Sequence, residues 1–135
     1  MMKVLLDTHI LLWALSNDRR LPERAKRLIE DAENDIFYSI ASLWEIEIKH
    51  LAHPDAMSVS SKEISEYCQQ SGYEKLAIKE NHIFAMADLK RDEGVPPHKD
   101  PFDRMLICQA LAENMMFVTH DALIPGYNVP GILSV

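Results

Sequence analysis

Cysteine is scarce, basic charge is outweighed by acidic charge, and long apolar runs and repeats are missing. Cys68 and Cys108 are the two cysteines, forty positions apart, with no CxxC pair and no Cys/His spacing typical of zinc. They read as free thiols in a reduced compartment, which argues against a disulfide framework and a zinc module. The formal net charge of −7 argues against broad, non-specific binding to nucleic acid, because phosphate contacts need a basic surface. It leaves chemistry on nucleic acid open, since a cation-binding carboxylate cluster itself contributes several negative charges. The N-terminal apolar run is broken by Asp7 and His9, so it does not read as a secretory signal. No uninterrupted apolar run approaches the roughly 20 residues that span a bilayer. A cytoplasmic protein without a membrane segment is expected. With no repeat, low-complexity tract or linker, one domain over residues 1–135 is expected as well.

What is present is an alternation of strand and helix signals, with an ordinary globular composition of 47% hydrophobic and 26% charged residues. The stretch Met2–Trp13 sets the pattern. A short apolar run meets the lone carboxylate of Asp7, and an apolar helical pattern follows at once. Residues 2–6 are expected as a strand and Thr8–Leu15 as a helix. Pro22 opens a helix over about Leu21–Glu33, with Ala25, Leu28, Ile29 and Ala32 on one face. Asp35–Ile40 reads as a second strand, and Ser42, with Glu45 three residues on, as the capping box of a helix over Leu43–Leu51. Ser60 or Ser61 caps a helix that stops near Ser71-Gly72. Tyr73–Ile78 is expected as a strand, Lys79–Leu89 as a helix, and Lys90–Lys99 as the longest irregular stretch. Asp100-Pro101 starts a helix to about Asn114, Met116–Thr119 is a strand, and Ile132–Val135 a short last one. Strands alternating with helices imply βαβ crossovers, hence a three-layer α/β/α sandwich around a parallel sheet.

In such a sheet the carboxyl ends of strands and the starts of the following helices share one edge, where ligands bind. Asp7, Glu45, Asp100, Asp103 and Asp121 all fall at that edge. Each has a local explanation: Asp7 as a helix cap, Glu45 as a capping-box partner, Asp100 and Asp103 as first-turn acids, Asp121 as a turn residue. Capping does not explain why acids recur at the same rim of several elements. Two carboxylates about 5 Å apart repel by roughly 3 kcal/mol at an effective dielectric near 20. A cation is the usual means of holding four together. Oxygen-only ligands favour Mg²⁺ or Mn²⁺ over zinc, and such ions suit phosphoryl chemistry. Residue types and spacing therefore lead to a metal-dependent phosphodiesterase.

The same residues carry a resemblance. Leu5-Leu-Asp7-Thr-His-Ile-Leu-Leu-Trp13, Ser39-Ile-Ala-Ser-Leu-Trp-Glu45-Ile-Glu-Ile-Lys49, His98-Lys-Asp-Pro-Phe-Asp103-Arg-Met-Leu-Ile107 and Phe117-Val-Thr-His-Asp121 occur in that order. Together they resemble the PIN domain, and in particular the VapC-type toxins of toxin–antitoxin pairs. The resemblance implies a parallel-sheet α/β/α fold and an Mg²⁺- or Mn²⁺-dependent endoribonuclease that cleaves RNA with a metal-activated water. It implies Asp7 and Asp103 as principal metal ligands, with Glu45 and Asp121 completing the site, and Thr119 as a hydroxyl beside it. Spacing leaves Asp100 and Asp103 both open as the ligand; the resemblance favours Asp103. A cognate antitoxin and a homodimer are also implied.

Around the acids, Lys49, Lys99 and Arg104 are placed to meet phosphate, while Lys49 equally suits an ion pair with Glu45. His9, His98 and His120 flank the acids and are placed to touch phosphate or metal, although a lone histidine beside a site is more often a bystander. Glu47 is expected to face away into solvent, and the Arg19–Arg27 basic cluster to be a solvated face. Trp13 and Trp44 stand where aromatics would anchor a partner segment, although core packing is the simpler role for Trp44. Two alternatives remain: an RNA-processing PIN nuclease without an antitoxin, and a non-catalytic acidic module that docks a basic segment. A receiver-like phospho-acceptor domain is disfavoured, because it would pair two acids near the first strand and carry a late lysine.

Overall fold

The computed structural model describes all 135 residues, Met1–Val135. Five strands, β1 (Lys3–Leu6), β2 (Asp35–Ser39), β3 (Glu74–Leu76), β4 (Met116–Thr119) and β5 (Ile132–Ser134), form one sheet in the order β3-β2-β1-β4-β5. Every pairing is parallel. Six helices cover it: α1 (Thr8–Leu15), α2 (Glu23–Glu30), α3 (Ile40–Ala52), α4 (Ser61–Gln70), α5 (Glu80–Ala85) and α6 (Pro101–Ala112). This is the expected α/β/α sandwich. No helix is long and apolar enough to cross a membrane.

Side chains alternate across the sheet, as the pleat requires, and so build two cores. On one face Leu5 and Phe117 pack with Leu106, Ile107 and Ala110 of α6. On the other, Val4, Leu6, Ile36, Tyr38 and Val118 meet Ile10 and Leu11 of α1, Ala25 of α2 and Ile64 of α4. Helix α3 serves both cores, with Ala41 in the first and Ile46 in the second. Its axis is thereby fixed at the rim of the sheet.

Several boundaries differ from the sequence expectation, each for a local reason. Pro22 takes extended backbone and stands before α2 instead of within its first turn. That helix stops at Glu30 because Asp31 starts a turn of its own, its carboxylate accepting from Glu33 N at 3.0 Å. Ala32 consequently lies exposed outside the helix. The cap of α3 is Ser39, not Ser42: Ser39 Oγ accepts from Ala41 N at 3.0 Å, so β2 passes into the helix without a loop. Ser42 is buried inside α3, its Oγ 2.9 Å from Thr8 Oγ1. Of the two caps expected for α4, Ser60 is the one used, and Glu63 completes a reciprocal capping box with it. The helix expected over 79–89 ends at Ala85 and continues as a 3₁₀ turn, Met86–Asp88.

Ser39 Oγ also donates to the fully buried Gln109 Oε1 of α6, which ties the two cores' helices together. Ser39→Ala is expected to cost about 2 kcal/mol, from a lost cap and an orphaned buried amide oxygen. Urea denaturation with an unchanged m value measures it, and a loss below about 0.5 kcal/mol would contradict the assigned role.

Candidate active site

The chain builds outward from β1 on one side through β2 and β3, then returns to place β4 and β5 on the other. The switch lies between β1 and β4, and a crevice opens at their carboxyl ends, as such topologies require. Asp7 follows β1 directly and caps α1. Its Oδ1 accepts from Thr8 N at 2.7 Å and its Oδ2 from Thr119 Oγ1, at the end of β4, at 2.6 Å. The Thr119 hydroxyl in turn accepts from Asp121 N at 3.1 Å, so one side chain positions two acids. Glu45 enters from α3. Asp100 caps α6, accepting from Phe102 N and Asp103 N, and Asp103 projects from the same first turn. The result is a cleft of about 120 Å³ lined by Asp7, Thr8, His9, Glu45, Lys49, Asp100, Asp103 and Asp121, with no hydrophobic residue among them.

Burial and crowding decide the charge state of these acids. Burial pushes the Asp7 carboxyl above its usual range, against the opposing hydrogen bonds from Thr119 and Thr8. Burial, reinforced by repulsion from Asp7, Asp100, Glu45 and Asp121, pushes Asp103 up to about 8. Glu45 is 5% exposed; its Oε2 pairs with Lys49 Nζ at 2.9 Å, while its Oε1 is buried without any partner. A buried carboxylate oxygen without a donor is costly. Two carboxyls raised by burial, beside an orphaned carboxylate oxygen, belong to a donor set suited to a hard divalent cation. Asp7, Glu45, Asp103 and Asp121 are the residues that would hold one.

Thus the structure brings the four acids and Asp100 together, with Lys49 at the rim and Thr119 beneath them. Arg104 and Lys99 do not line the cleft. Local and collective explanations of the acids coexist: Asp7 and Asp100 do cap helices, and Asp121 does support a turn by accepting from Leu123 N. Glu45 has no capping role, because the helix begins elsewhere. His98, expected as a bystander, is buried and stands 3.1 Å from Asp103, whereas His9 is exposed at the rim. Trp44 is not core: it is 60% exposed and meets Phe102 edge-on. Glu47 faces away, as expected, but its carboxylate accepts from Ser61 N and holds α4 to α3. Arg20 pairs with Asp18 and lies over the Trp13 ring. Thr8 and Tyr127 are not singled out in the sequence, and Ser42 reads there only as a helix cap; Thr8 adjoins Asp7, but nothing local marks the other two as neighbours of the site.

A pH dependence follows from Asp103. Its folded value of about 8 lies above its ordinary value of 3.8, so between these pH values the folded state holds a proton that the unfolded state has lost. Stability without divalent metal should therefore fall as pH rises from about 4 to about 8. Asp103→Asn is expected to flatten that decline, and a thermal-unfolding series in EDTA checks it. An equally steep decline in the variant would contradict the protonated Asp103.

The PIN domain family model matches residues 4–126. No curated protein sequence matches the chain. Among solved structures, VapBC2 of Rickettsia felis bound to a promoter DNA fragment is similar, at 18% identity and a TM-score of 0.65, over 99% of this chain and 98% of that one. A toxin–antitoxin complex from Klebsiella pneumoniae is similar at 16% identity and a TM-score of 0.63, over 97% and 96%. VapC20 of Mycobacterium tuberculosis, described as a toxin that cleaves the sarcin–ricin loop, is similar at 13% identity and a TM-score of 0.62, over 98% of each chain. A family match over nearly its whole length, on a parallel sheet that gathers acids at its switch point, shows that this chain belongs to the PIN domain family.

Proposed function

We propose that the chain is a divalent-metal-dependent endoribonuclease, one domain over residues 1–135, acting in the cytoplasm as the toxin of a toxin–antitoxin pair. The observation that carries this reading is the convergence of Asp7, Glu45, Asp103 and Asp121, from four separate elements, on one cleft without a hydrophobic residue. Asp7 and Asp103 would be the principal ligands to Mg²⁺ or Mn²⁺, with Glu45 and Asp121 completing the set. When bound, such an ion supplies positive charge against a phosphate and lowers the pKa of water. The chain's own groups do the positioning. Thr119 holds Asp7 and the backbone of Asp121 in fixed relation, and Asp100 orders the first turn of α6 beneath Asp103. Lys49 neutralises Glu45 and stands at the cleft mouth, where its ammonium can exchange that contact for a phosphate oxygen. Glu45 and Asp121 would help to orient the attacking water.

RNA as substrate and an antitoxin as partner are supported by the similar structures, which include toxin–antitoxin complexes and a toxin described as cleaving the sarcin–ricin loop. A groove of about 660 Å³ adjoins the cleft, lined by Leu12, Trp13 and Leu15 of α1, Met57, Val59, and Ile64 and Tyr67 of α4. His9 lines both spaces, so a segment lying in the groove can extend a basic side chain to the acids. A homodimer is supported by Trp44, Ile48 and Leu51, which recur one helical turn apart as exposed apolar residues on α3. One observation favours a second reading. The Lys49 ammonium already sits on Glu45, which is the contact that a non-catalytic docking module would offer to a basic segment.

Cleavage of a mixed RNA pool separates them. The purified chain should cut with Mg²⁺ or Mn²⁺ and not with EDTA, and Asp7→Asn should cut at least about a hundredfold more slowly, the scale of removing one preorganised charged group. Equal rates for variant and parent would sink this site. No cutting with any metal, together with no metal binding by calorimetry, would leave the docking module. Co-purification with the product of a small neighbouring gene would distinguish a toxin from an RNA-processing PIN nuclease without an antitoxin.

A further inference from the structure

His98 lies in the irregular segment before α6, 7% exposed. Its Nε2 stands 3.1 Å from Asp103 Oδ2 and 3.9 Å from Asp121 Oδ2. One donor atom from each of these three residues falls within 4.8 Å of the others, a spacing that one ion can bridge. We propose that His98 Nε2 is a ligand to the divalent cation, so that the position between Asp103 and Asp121 is a mixed nitrogen–oxygen site. This rests on the metal-dependent reading of the cleft and deepens it, because a nitrogen donor changes which ion the site prefers.

The second ring nitrogen carries the inference. His98 Nδ1 is 2.6 Å from Tyr127 Oη, and the same hydroxyl is 3.0 Å from the carbonyl oxygen of His98 itself. A tyrosine hydroxyl has one proton to give. Given to the carbonyl, it leaves Oη able only to accept from the ring, so a neutral ring carries its hydrogen on Nδ1 and turns the Nε2 lone pair toward the Asp103 and Asp121 carboxyl groups. In the metal-free chain the Asp103 proton can meet that lone pair, and a bound cation would take the proton's place. A metal-binding histidine has the same outer bond, its far N–H held by an oxygen that fixes the tautomer. In the opposite arrangement the hydroxyl proton goes to Nδ1, Nε2–H donates to Asp103, and the carbonyl loses a donor; His98 would then be a strut. The first arrangement satisfies the carbonyl and leaves Nε2 free for an ion; a doubly protonated ring would satisfy the carbonyl as well, with Nε2–H on Asp103, so the metal's nitrogen contact is the deciding measurement.

Tyr127 is itself rigidly held. It is 3% exposed, edge-on to His98 at 5.3 Å between ring centres, and covered by the Arg91 guanidinium at 4.7 Å. Arg91 also donates to Pro96 O and Leu123 O, binding both flanking loops. Such a clamp fixes the imidazole's direction before any ion arrives. Imidazole nitrogen adds affinity for Mn²⁺ and Co²⁺ relative to Mg²⁺, which favours oxygen donors.

Pulsed electron paramagnetic resonance of the wild-type chain with one equivalent of Mn²⁺ alone tests the ligand. Modulation from a directly bound ¹⁴N is expected. It should persist in the His9→Ala/His120→Ala double variant, which removes the other nearby imidazoles, and vanish in His98→Gln. By calorimetry, Tyr127→Phe should weaken Mn²⁺ about tenfold, the scale of a lost outer-shell partner, and weaken Mg²⁺ less than about threefold. Bound Mn²⁺ without nitrogen modulation in the wild type would overturn His98 as a ligand and leave the four-acid site standing. Modulation lost in the double variant would assign the nitrogen elsewhere and overturn it equally. No Mn²⁺ binding at all would overturn this inference and the metal-dependent reading together. The wild type and the double variant decide the matter even where His98→Gln does not fold.

Discussion

Like charge held at close quarters is the constraint on which this architecture turns. Asp7 directly after β1, Glu45 in α3, Asp103 in α6 and Asp121 in the turn after β4 are delivered by the fold to one small polar cleft. Burial raises the carboxyls of both Asp103 and Asp7, and repulsion from the neighbouring acids adds to it, chiefly at Asp103. What opposes it locally is modest: two hydrogen bonds on Asp7, and the Lys49 ammonium on Glu45. Such an arrangement is a poor one for stability and a good one for holding a cation, and the trade is common at functional sites.

The rest of the fold supplies the stiffness that such a cleft demands. The β1–β4 pairing continues past the strands, with Asp7 N donating to Val118 O at 3.0 Å, so Asp7 and Thr119 are fixed by the sheet itself. Helix α3 is held by packing in both cores, by its Ser39 cap and by Ser39's bond to Gln109. A side chain one turn along it, Glu45, therefore has little freedom to retreat from its neighbours. Thr8 and Ser42 add a buried hydroxyl contact between α1 and α3, directly behind the acids.

The irregular segment between the 3₁₀ turn and α6 belongs to this support. Through Arg91, Tyr127 and His98 it forms a continuous chain of contacts that ends at Asp103. Gly126 permits that closeness, because a Cβ there would lie 2.3 Å from the Arg91 guanidinium. A loop without regular structure is thus joined to the site by polar and aromatic contacts in place of a ladder.

The order and type of the elements were legible in the amino-acid pattern. Strand β4 and helix α1 have the bounds expected of them, Ser60 is one of the two caps expected for α4, and the irregular 90–99 stretch is where it should be. Local rules suffice there, because an apolar period or a cap acts over a few residues. The acids' shared edge was legible for the same reason: parallel crossovers place strand ends and helix starts together. Tertiary structure decided what depends on residues far apart in the chain. Ser39 caps α3 because Gln109, seventy positions on, receives its hydroxyl proton. Trp44 is exposed because α3 turns its other faces to the two cores. His98 joins the site because Tyr127 and Asp103 approach it from opposite sides. Such outcomes depend on distances between elements, and a one-dimensional pattern carries spacing along the chain but not separation across the fold.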